Sequence, residues 1–193
     1  MRLIDTSALP AVAWKNGGGS TRTVAVSPTG AGFDDFVWRV SIADVAQSGG
    51  FSLFRDVDRT ILLLDGAGMV LERSDGVAHA LTTPFEPWAF RGEDVIEARL
   101  VDGASRDLNV MVRRGCARVA VRLWDCADAV QGMGEALLYC ARGDFEVING
   151  GETALLSAGW AGSFSVDGAT VRVVPKAPNA VLIGAFFESE EAA

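Results

Sequence analysis

The residues best able to hold a ligand are concentrated in one segment, residues 14–23, which reads Trp-Lys-Asn-Gly-Gly-Gly-Ser-Thr-Arg-Thr. Its three consecutive glycines can adopt positive φ and allow a ligand to approach the backbone closely. Successive backbone N–H groups in such a loop can point into one concavity, and Lys15 and Arg22 add positive charge on either side. The segment therefore predicts a binding site for the carboxylate or phosphate group of a small anionic molecule.

The same glycine run has a second, structural interpretation, because glycine-rich turns are common as tight corners between strands. The run leads into a strand-like segment rather than a helix, and no Gly-Lys-Ser or Gly-Lys-Thr closes it. Neither of the common nucleotide-binding fingerprints is therefore present. A nucleotide is not expected at this loop.

A second candidate is the strand predicted over residues 36–43, in which successive side chains point to opposite faces. The alternation separates an apolar set from a set that carries a cation: Phe36, Trp38, Val40 and Ile42 against Val37, Arg39, Ser41 and Ala43. A guanidinium among apolar neighbours is costly to bury without an anionic partner. The sequence leaves two partners open for Arg39, a bound anion or a structural carboxylate such as Asp107.

If Arg39 and Ser41 face the interior of a β-barrel, residues from other segments can complete a cationic pocket there. Arginine offers a bidentate contact to a carboxylate, asparagine is both donor and acceptor, and aromatic rings stack on planar groups. The predicted ligand-binding residues are Trp14, Lys15, Asn16, Gly17, Gly18, Gly19, Thr21, Arg22, Arg39, Ser41, Phe51, Arg59 and Asn109. This set suits a small planar or amidated carboxylic acid.

The elements that must position these residues are short apolar segments separated by turn residues, a pattern typical of antiparallel β-structure. The pattern restarts after Arg114, and no long stretch keeps a helical period. Asp65-Gly66, Asn149-Gly150 and Asp167-Gly168 are hairpin signals, since these pairs tolerate positive φ. We expect an all-β protein with two barrels or sandwiches packed together, residues 1–114 and residues 115–193.

Composition limits the partners and the compartment. The net charge is −8 and the isoelectric point is near 4.6, so a nucleic-acid partner, which needs a basic surface, is not expected. No apolar run approaches the about 20 residues of a membrane-spanning helix, and the N-terminus lacks the basic-then-apolar order of a signal peptide. We expect a cytoplasmic protein with no membrane partner.

Several segments, taken in order, resemble the HutD/Ves family. They are Trp-Lys-Asn-Gly-Gly-Gly at 14–19, Trp-Arg-Val-Ser at 38–41, Gly-Phe-Ser-Leu-Phe at 50–54, Asp58-Arg59, and residues 107–114. The resemblance implies a bicupin, with two antiparallel jelly-roll-like β-barrels, in the bacterial cytoplasm, linked to control of histidine utilisation. The matching positions are Trp14, Lys15, Asn16, Gly17, Gly18, Gly19, Thr21, Arg22, Trp38, Arg39, Ser41 and Arg59. Thr23 and Arg55-Asp56 depart from the family's pattern, which commonly has an acidic residue and Pro-Gly at these places.

The residues make no strong argument for catalysis. Metal-dependent cupins use several histidines with a carboxylate, whereas this chain has one histidine, His79, so neither a metal nor another cofactor is expected. The serines lack an obvious base unless His79 is near, and the aspartates lie in turn-like contexts that favour local hydrogen bonding. We assign no catalytic residue and no metal ligand from the sequence.

Three functional hypotheses follow from these observations. The leading one is a metal-free protein that binds a small anionic metabolite, a carboxylate intermediate of histidine catabolism such as urocanate or N-formylglutamate in view of the resemblance, and thereby senses or buffers it and modulates the pathway. The second is a metal-independent cupin enzyme, an isomerase or lyase acting on a small carboxylate or sugar. The third is a protein-interaction module, for which strand edges and Phe186-Phe187 would allow a homodimer.

Overall fold

The structure is a computed structural model and describes residues 1–190. Its regular structure is β-strand apart from one 3-10 turn at Thr6–Ala8, with no α-helix in the described range, which confirms the all-β prediction. The earlier strands are β1 (Arg2–Asp5), β2 (Val12–Ala13), β3 (Gly19–Ser27), β4 (Trp38–Val45), β5 (Gly49–Gly50), β6 (Val57–Asp65), β7 (Met69–Arg73), β8 (Ala78–Leu81), β9 (Trp88–Arg91), β10 (Ile96–Leu100) and β11 (Ser105–Arg113). The later strands are β12 (Ala117–Trp124), β13 (Asp128–Gln131), β14 (Glu135–Arg142), β15 (Asp144–Asn149), β16 (Glu152–Ser157), β17 (Trp160–Ser165), β18 (Thr170–Pro175) and β19 (Val181–Ser189). No helix in the described residues is long and apolar enough to cross a membrane.

The three hairpin signals in the sequence all mark turns between consecutive strands. Gly66 at the β6–β7 turn has φ +90°, and Gly150 at the β15–β16 turn has φ +58°. Asp167 and Gly168 join β17 to β18 with φ +39° and +78°. These local turn predictions are confirmed, because positive φ depends on the residue type at the turn more than on distant contacts.

The chain divides into two compact units, which we call the N-terminal unit (Pro10–Arg114) and the C-terminal unit (Met1–Leu9 with the residues from Gly115 onward). The sequence placed the first nine residues with the N-terminal half. In the structure β1 pairs antiparallel with β17, Arg2 opposite Ser163, and Ile4 is buried. Strand pairing satisfies the backbone groups of this short segment, so it belongs to the C-terminal unit.

The N-terminal unit is a sandwich of two antiparallel sheets. The larger sheet has the strand order β2-β3-β4-β11-β6-β9, and the smaller one β5-β10-β7-β8. Their facing side chains form one apolar core that includes Val45 and Ile61 from the larger sheet and Leu71 and Ile96 from the smaller one. The face of the larger sheet that carries Val45 and Ile61 is called the inner face below.

The C-terminal unit repeats this arrangement with sheets in the orders β1-β17-β14-β19-β12 and β13-β18-β15-β16. In both units the sheets are open, because their outermost strands pair on one side only. The prediction of closed barrels is therefore wrong at this level of detail. The error arises at the edge strands, because the sequence pattern does not distinguish an edge strand from a central one.

Buried polar side chains are distributed unequally between the two units. In the described residues, the buried polar side chain of the C-terminal unit is Thr6, and the interior of that unit is filled with apolar groups such as Trp124 and Phe145. The buried polar side chains of the N-terminal unit are Arg39, Ser41, Arg59, Ser105, Asp107 and Asn109. Buried charge without an evident structural purpose is a common mark of a functional site, which directs attention to the N-terminal unit.

Candidate functional site

The strand register brings separate parts of the chain together on the inner face. Met111 of β11 is the Cα partner of Arg39 on β4 and of Arg59 on β6. In the neighbouring row, Asn109 lies opposite Ser41 and Ile61. Adjacent strands are about 4.8 Å apart, so the Cα atoms of the two arginines are separated by about 10 Å. Two long cationic side chains thus rise from one face within reach of a single small molecule.

Arg59 is 7% exposed, and aromatic rings surround its guanidinium. The Cζ atom lies 5.3 Å from the ring centroid of Phe51, 5.5 Å from that of Phe54 and 4.8 Å from that of Phe90. Its Nη1 donates to the backbone oxygen of Ser52 at 3.2 Å. Burial lowers the pKa of Arg59 to about 10, opposed by the charge of Asp107, so the guanidinium remains charged at neutral pH.

A buried hydrogen-bond chain connects Arg59 to Asp107. The Nε and Nη2 atoms of Arg59 both donate to Asn109 Oδ1, at 3.2 and 2.9 Å. The Asn109 Nδ2 group donates in turn to Asp107 Oδ1 at 3.1 Å. Asn109, predicted as a ligand contact, therefore uses its amide oxygen and one amide hydrogen within the protein.

Asp107 is 1% exposed, and burial raises the pKa of its carboxyl to about 7, although the hydrogen bond from Asn109 and the charge of Arg59 oppose this. The sequence considered Asp107 only as a partner of Arg39. The structure instead connects it with Arg59. The signal that could have found it is its position two residues before Asn109, which puts both side chains on one face of a strand.

Arg39 is the less satisfied of the two arginines. It is 7% exposed; its Nη2 donates to Thr23 Oγ1 at 2.6 Å, and the Phe33 ring centroid lies 4.3 Å from its Cζ. The buried Nε has no hydrogen-bond partner. Burial lowers the pKa of Arg39, and no carboxylate in the described part of the chain is close enough to oppose that shift. The predicted alternative of an Arg39–Asp107 pair is therefore wrong.

The charges of this cluster do not balance. Two buried guanidinium groups, Arg39 and Arg59, share the inner face with one buried carboxyl, Asp107, whose pKa is about 7. Near neutral pH the cluster therefore carries an excess of positive charge in surroundings of low polarity, where electrostatic attraction is stronger than in water. A negative charge would balance this excess, and the buried Nε of Arg39 is a donor that no acceptor in the described residues satisfies.

The backbone hydrogen bonds of the glycine loop distinguish between its two sequence-based interpretations, an anion-binding loop and a tight corner between strands. Gly17 N donates to Trp14 O at 3.0 Å, and Gly18 N donates to Asn16 Oδ1 at 3.0 Å. These N–H groups are used inside the loop, so the predicted anion-binding concavity is not formed by them. Lys15, Asn16 and Gly17 are exposed. The structural interpretation of the run, a tight corner leading into β3, describes the loop better.

Trp14 connects this loop to the inner face. Its ring packs against the core of the N-terminal unit, and its Nε1 donates to Thr21 Oγ1 at 2.8 Å. Thr21 lies opposite Ala43, another residue of that core. Trp14 and Thr21 thus face the same interior as Arg39 and Ser41.

Gly19 packs so closely that a side chain would collide with its neighbours. A Cβ atom there would lie 2.4 Å from the Asp44 carbonyl oxygen and 3.1 Å from the Trp14 ring, whereas one at Gly18 would meet only Asn16, at 3.4 Å. We expect Gly19→Ala to destabilise the fold by about 2 kcal/mol or more, because the collision is with backbone. Gly18→Ala, the matched control, should cost less than half as much in urea unfolding; equal losses would contradict this account.

Arg22, predicted to flank the site, lies on the other face of its sheet. It is opposite Ile42, one residue out of phase with Arg39 and Ser41, and it forms an ion pair with Asp44. Asp44 also accepts from Arg106 Nε at 2.6 Å. Because side chains alternate along a strand, Arg22 cannot reach the inner-face cluster.

The predicted site residues thus separate into two groups. The structure brings together on the inner face or at its edge Trp14, Gly19, Thr21, Arg39, Ser41, Phe51, Arg59 and Asn109. It does not place there the side chains of Lys15, Asn16 and Arg22 or the glycine N–H groups of 17 and 18. The participants that the sequence missed are Thr23, Phe33, Phe54, Phe90 and Asp107.

The family model for HutD matches residues 6–176. The chain belongs to the HutD family. Protein Ves from Citrobacter koseri is 35% identical over 148 residues, which make up 76% of this chain and 76% of that protein. An uncharacterized 21.2 kDa protein in the hutC 3' region of Pseudomonas putida is 36% identical over 148 residues, 76% of this chain and 77% of that protein.

Two solved structures have the same fold as this chain over nearly their full length. HutD from Pseudomonas fluorescens SBW25, determined in a formate condition, has a TM-score of 0.83 and 28% identity, covering 97% of this chain and 98% of that one. A conserved protein of unknown function from Pseudomonas aeruginosa PAO1 has a TM-score of 0.90 and 29% identity with the same coverage. A cupin 2 conserved barrel domain protein from Leptotrichia buccalis, at 8% identity and a TM-score of 0.62, shows that the HutD fold is cupin-like.

The histidine of this HutD-family chain is part of an aromatic stack. His79 lies parallel to Trp88, with ring centroids 4.6 Å apart, and Trp88 stacks on Phe90 at 4.9 Å. Burial lowers the pKa of His79, opposed by the charge of Glu86. Residues 1–190 contain no group of three or more His, Cys, Asp or Glu side chains that could hold a metal ion. The stack extends the aromatic surroundings of Arg59 towards the four-stranded sheet that contains β8.

Proposed function

We propose that this protein binds a small carboxylate on the inner face of its N-terminal unit and that Arg39 is the principal anchor. The observation that carries the proposal is the buried guanidinium of Arg39, whose Nε has no hydrogen-bond partner. A buried polar group without a partner costs free energy in the empty protein. A carboxylate bound to Arg39 would supply that partner and balance the excess positive charge.

The surroundings favour an organic anion over an inorganic one. Phe33 covers Arg39, and the rings of Phe51 and Phe90 adjoin Arg59. Aromatic walls offer little to a hydrated inorganic ion, whereas they pack on the carbon skeleton or planar group of a metabolite. Ser41 on the same face adds a hydroxyl that can donate or accept.

The names of the relatives suggest a choice among such carboxylates, since one lies in the hutC 3' region and a solved relative is called HutD. Our proposal is that the ligand is an intermediate of histidine catabolism, such as urocanate or N-formylglutamate, and that the protein senses or buffers it and so modulates the pathway. The proposal includes a bicupin architecture for the two units and a cytoplasmic protein, monomeric or homodimeric, that acts without nucleic acid, membrane or metal. The similarity to a cupin structure supports the bicupin architecture.

The experiment that tests the proposal is calorimetric titration of the wild-type protein with urocanate, N-formyl-L-glutamate, histidine and glutamate at pH 7. We expect saturable one-to-one binding of at least one pathway intermediate, with glutamate or histidine weaker, because the aromatic walls discriminate between carbon skeletons. Absence of heat and of thermal stabilisation with all four compounds would overturn the proposal.

An enzyme is the second candidate, and one observation favours it. A buried carboxyl with a pKa of about 7, that of Asp107, is what a general acid or base at neutral pH requires. Lys15, the lysine beside the three glycines, is the other group that could act as a base, and it is exposed on the loop. The distinguishing experiment is product analysis by NMR after prolonged incubation with each of the four compounds. Turnover that Asp107→Asn abolishes and Lys15→Met leaves intact would favour an enzyme over a sensor.

A further inference from the structure

We propose that binding of an anion at Arg39 and Arg59 is coupled to the uptake of a proton by Asp107, and that Asn109 connects the two events. This inference rests on the proposed function and goes one step beyond it. It makes Asp107, which is connected with Arg59 through Asn109, a positioning residue for Arg59. It also makes the affinity of the site dependent on pH.

The geometry supplies the connection. Asn109 accepts from Arg59 through two N–H groups and donates to Asp107. An amide held between a cation and a carboxyl has one favourable orientation, its oxygen towards the cation and its NH₂ towards the carboxyl. Asp107 thus fixes the amide of Asn109, and the amide oxygen fixes one edge of the Arg59 guanidinium. With Nη1 also donating to the backbone oxygen of Ser52, one hydrogen on each of Nη1 and Nη2 is left for the ligand.

The protonation state of Asp107 is set by burial and by nearby charges. Arg59 of β6 is the cation that stabilises its ionised form. The other charged group acting on Asp107 is Asp44 of β4, which opposes ionisation. The Cα partners of Asp107, Ala43 and Leu63, are apolar. The opposite sheet also contributes apolar side chains to this core: Met69, Leu71, Leu81, Ile96 and Ala98. No other cation within residues 1–190 stabilises the carboxylate.

Binding of an anion at the site therefore shifts the equilibrium between the ionised and protonated forms of Asp107. A ligand carboxylate that approaches Arg59 cancels part of the positive field that keeps Asp107 ionised and adds a like charge nearby. Both effects favour the protonated carboxyl, which still accepts the Asn109 hydrogen bond. The pKa of Asp107 must then rise above its ligand-free value of about 7.

The sign of the pH dependence follows from this linkage. Below pH 7 Asp107 is already protonated, so the ligand binds without proton uptake. Above pH 7 a proton must be taken up on binding, and the affinity falls. From a free pKa of about 7, we expect the Kd for N-formyl-L-glutamate to be about tenfold higher at pH 8 than at pH 6. Proton uptake on ligand binding at pH 7 should be about half a proton per site.

The experiment is calorimetric titration of the full-length protein with N-formyl-L-glutamate at pH 6, 7 and 8, in buffers that differ in ionisation enthalpy. The key variant is Asp107→Asn, which has nearly the shape of the protonated carboxyl and keeps an oxygen acceptor for Asn109. The matched control is Glu72→Gln, which removes an exposed carboxylate of the same unit that pairs with Arg99 at 3.0 Å. If Asp107→Asn does not fold, carboxyl-carbon NMR of wild-type Asp107 with and without the ligand provides the same readout.

The expected result is proton uptake and a pH-dependent Kd in wild type and Glu72→Gln, both lost in Asp107→Asn, whose affinity at pH 8 resembles that of wild type at pH 6. Binding that is independent of pH and of buffer, or a carboxyl that titrates identically with and without ligand, would overturn the inference and leave the proposed function intact. Absence of binding at every pH, with the other acids silent as well, would overturn both.

Discussion

Replacing Arg39 with alanine is expected to weaken binding of the pathway carboxylate about 30-fold or more, equivalent to about 2 kcal/mol. The guanidinium is 7% exposed and its Nε lacks a partner, so a ligand carboxylate gains a charge-assisted hydrogen bond in surroundings of low polarity. Truncation removes that bond and leaves the desolvated carboxylate facing Thr23 and Phe33. Calorimetry with the tightest of the four acids measures the loss.

The fold should tolerate this substitution better than the binding site does. The unsatisfied Nε of Arg39 already costs free energy in the empty protein, and its removal offsets part of the lost packing, so we expect stability to change by less than about 1 kcal/mol. The matched control is Arg99→Ala, which removes an exposed arginine that pairs with Glu72 on the surface of the same unit. A folded Arg39→Ala protein with wild-type affinity would refute the assignment of Arg39 as anchor.

Replacing Arg59 with alanine is expected to have the largest effect on stability, a loss of about 3 kcal/mol or more at pH 8. The substitution removes the cation that faces Asp107, leaves Asn109 Oδ1 without its two donors, and opens a void among three phenylalanine rings. Buried groups that lose a charged partner cost more than the partnership itself contributed. Urea unfolding monitored by tryptophan fluorescence measures the change in the free energy of unfolding.

The loss of folding stability caused by Arg59→Ala should be larger at pH 8 than at pH 5. The pKa of Asp107 is raised to about 7 in the folded protein from an ordinary value of about 4 when unfolded. At pH 5 the folded carboxyl is protonated with or without Arg59, so the lost charge interaction costs little. At pH 8 the wild-type carboxyl is ionised and stabilised by Arg59, so removal of Arg59 costs more.

Arg59→Met restores part of the packing but none of the charge, and should therefore recover stability at pH 5 more fully than at pH 8. Equal losses at the two pH values would contradict the coupling of Arg59 with Asp107.

The strands and turns were predictable because their signals are local. The alternation over residues 36–43 and the positive φ at Gly66, Gly150 and Gly168 depend on neighbouring residue types. Arg39 was recognised for a similar reason, since a cation between apolar neighbours in a strand requires a partner wherever that strand packs. Family membership, too, was visible in short motifs, and the HutD match over residues 6–176 confirms it.

At the glycine loop and at Asn109 the structure uses, within the protein, hydrogen-bonding groups that the sequence assigned to a ligand, and the physical reason is competition for hydrogen bonds. A run of three glycines supplies N–H groups, but two of them are taken by Trp14 and Asn16 a few residues away. The Asn109 amide is likewise used by Arg59 and Asp107. A sequence shows which donors and acceptors exist, whereas only packing decides which of them are left for a ligand.

The sequence by itself determined the β-strand composition, the hairpins, the family, and the presence of a cation, Arg39, in a strand where its burial would require a partner. The tertiary structure decided the remainder, because the cluster is made of residues far apart in the chain. Arg59 and Asn109 are fifty residues apart, and strand pairing sets which face each occupies and which side chain lies opposite. Alternation placed Arg39 inward and turned Arg22 outward to Asp44, and burial, with a smaller contribution from the charge of Asp44, raised the pKa of Asp107 to about 7. Pairing register and burial are properties of the assembled sheets, and no single segment contains them.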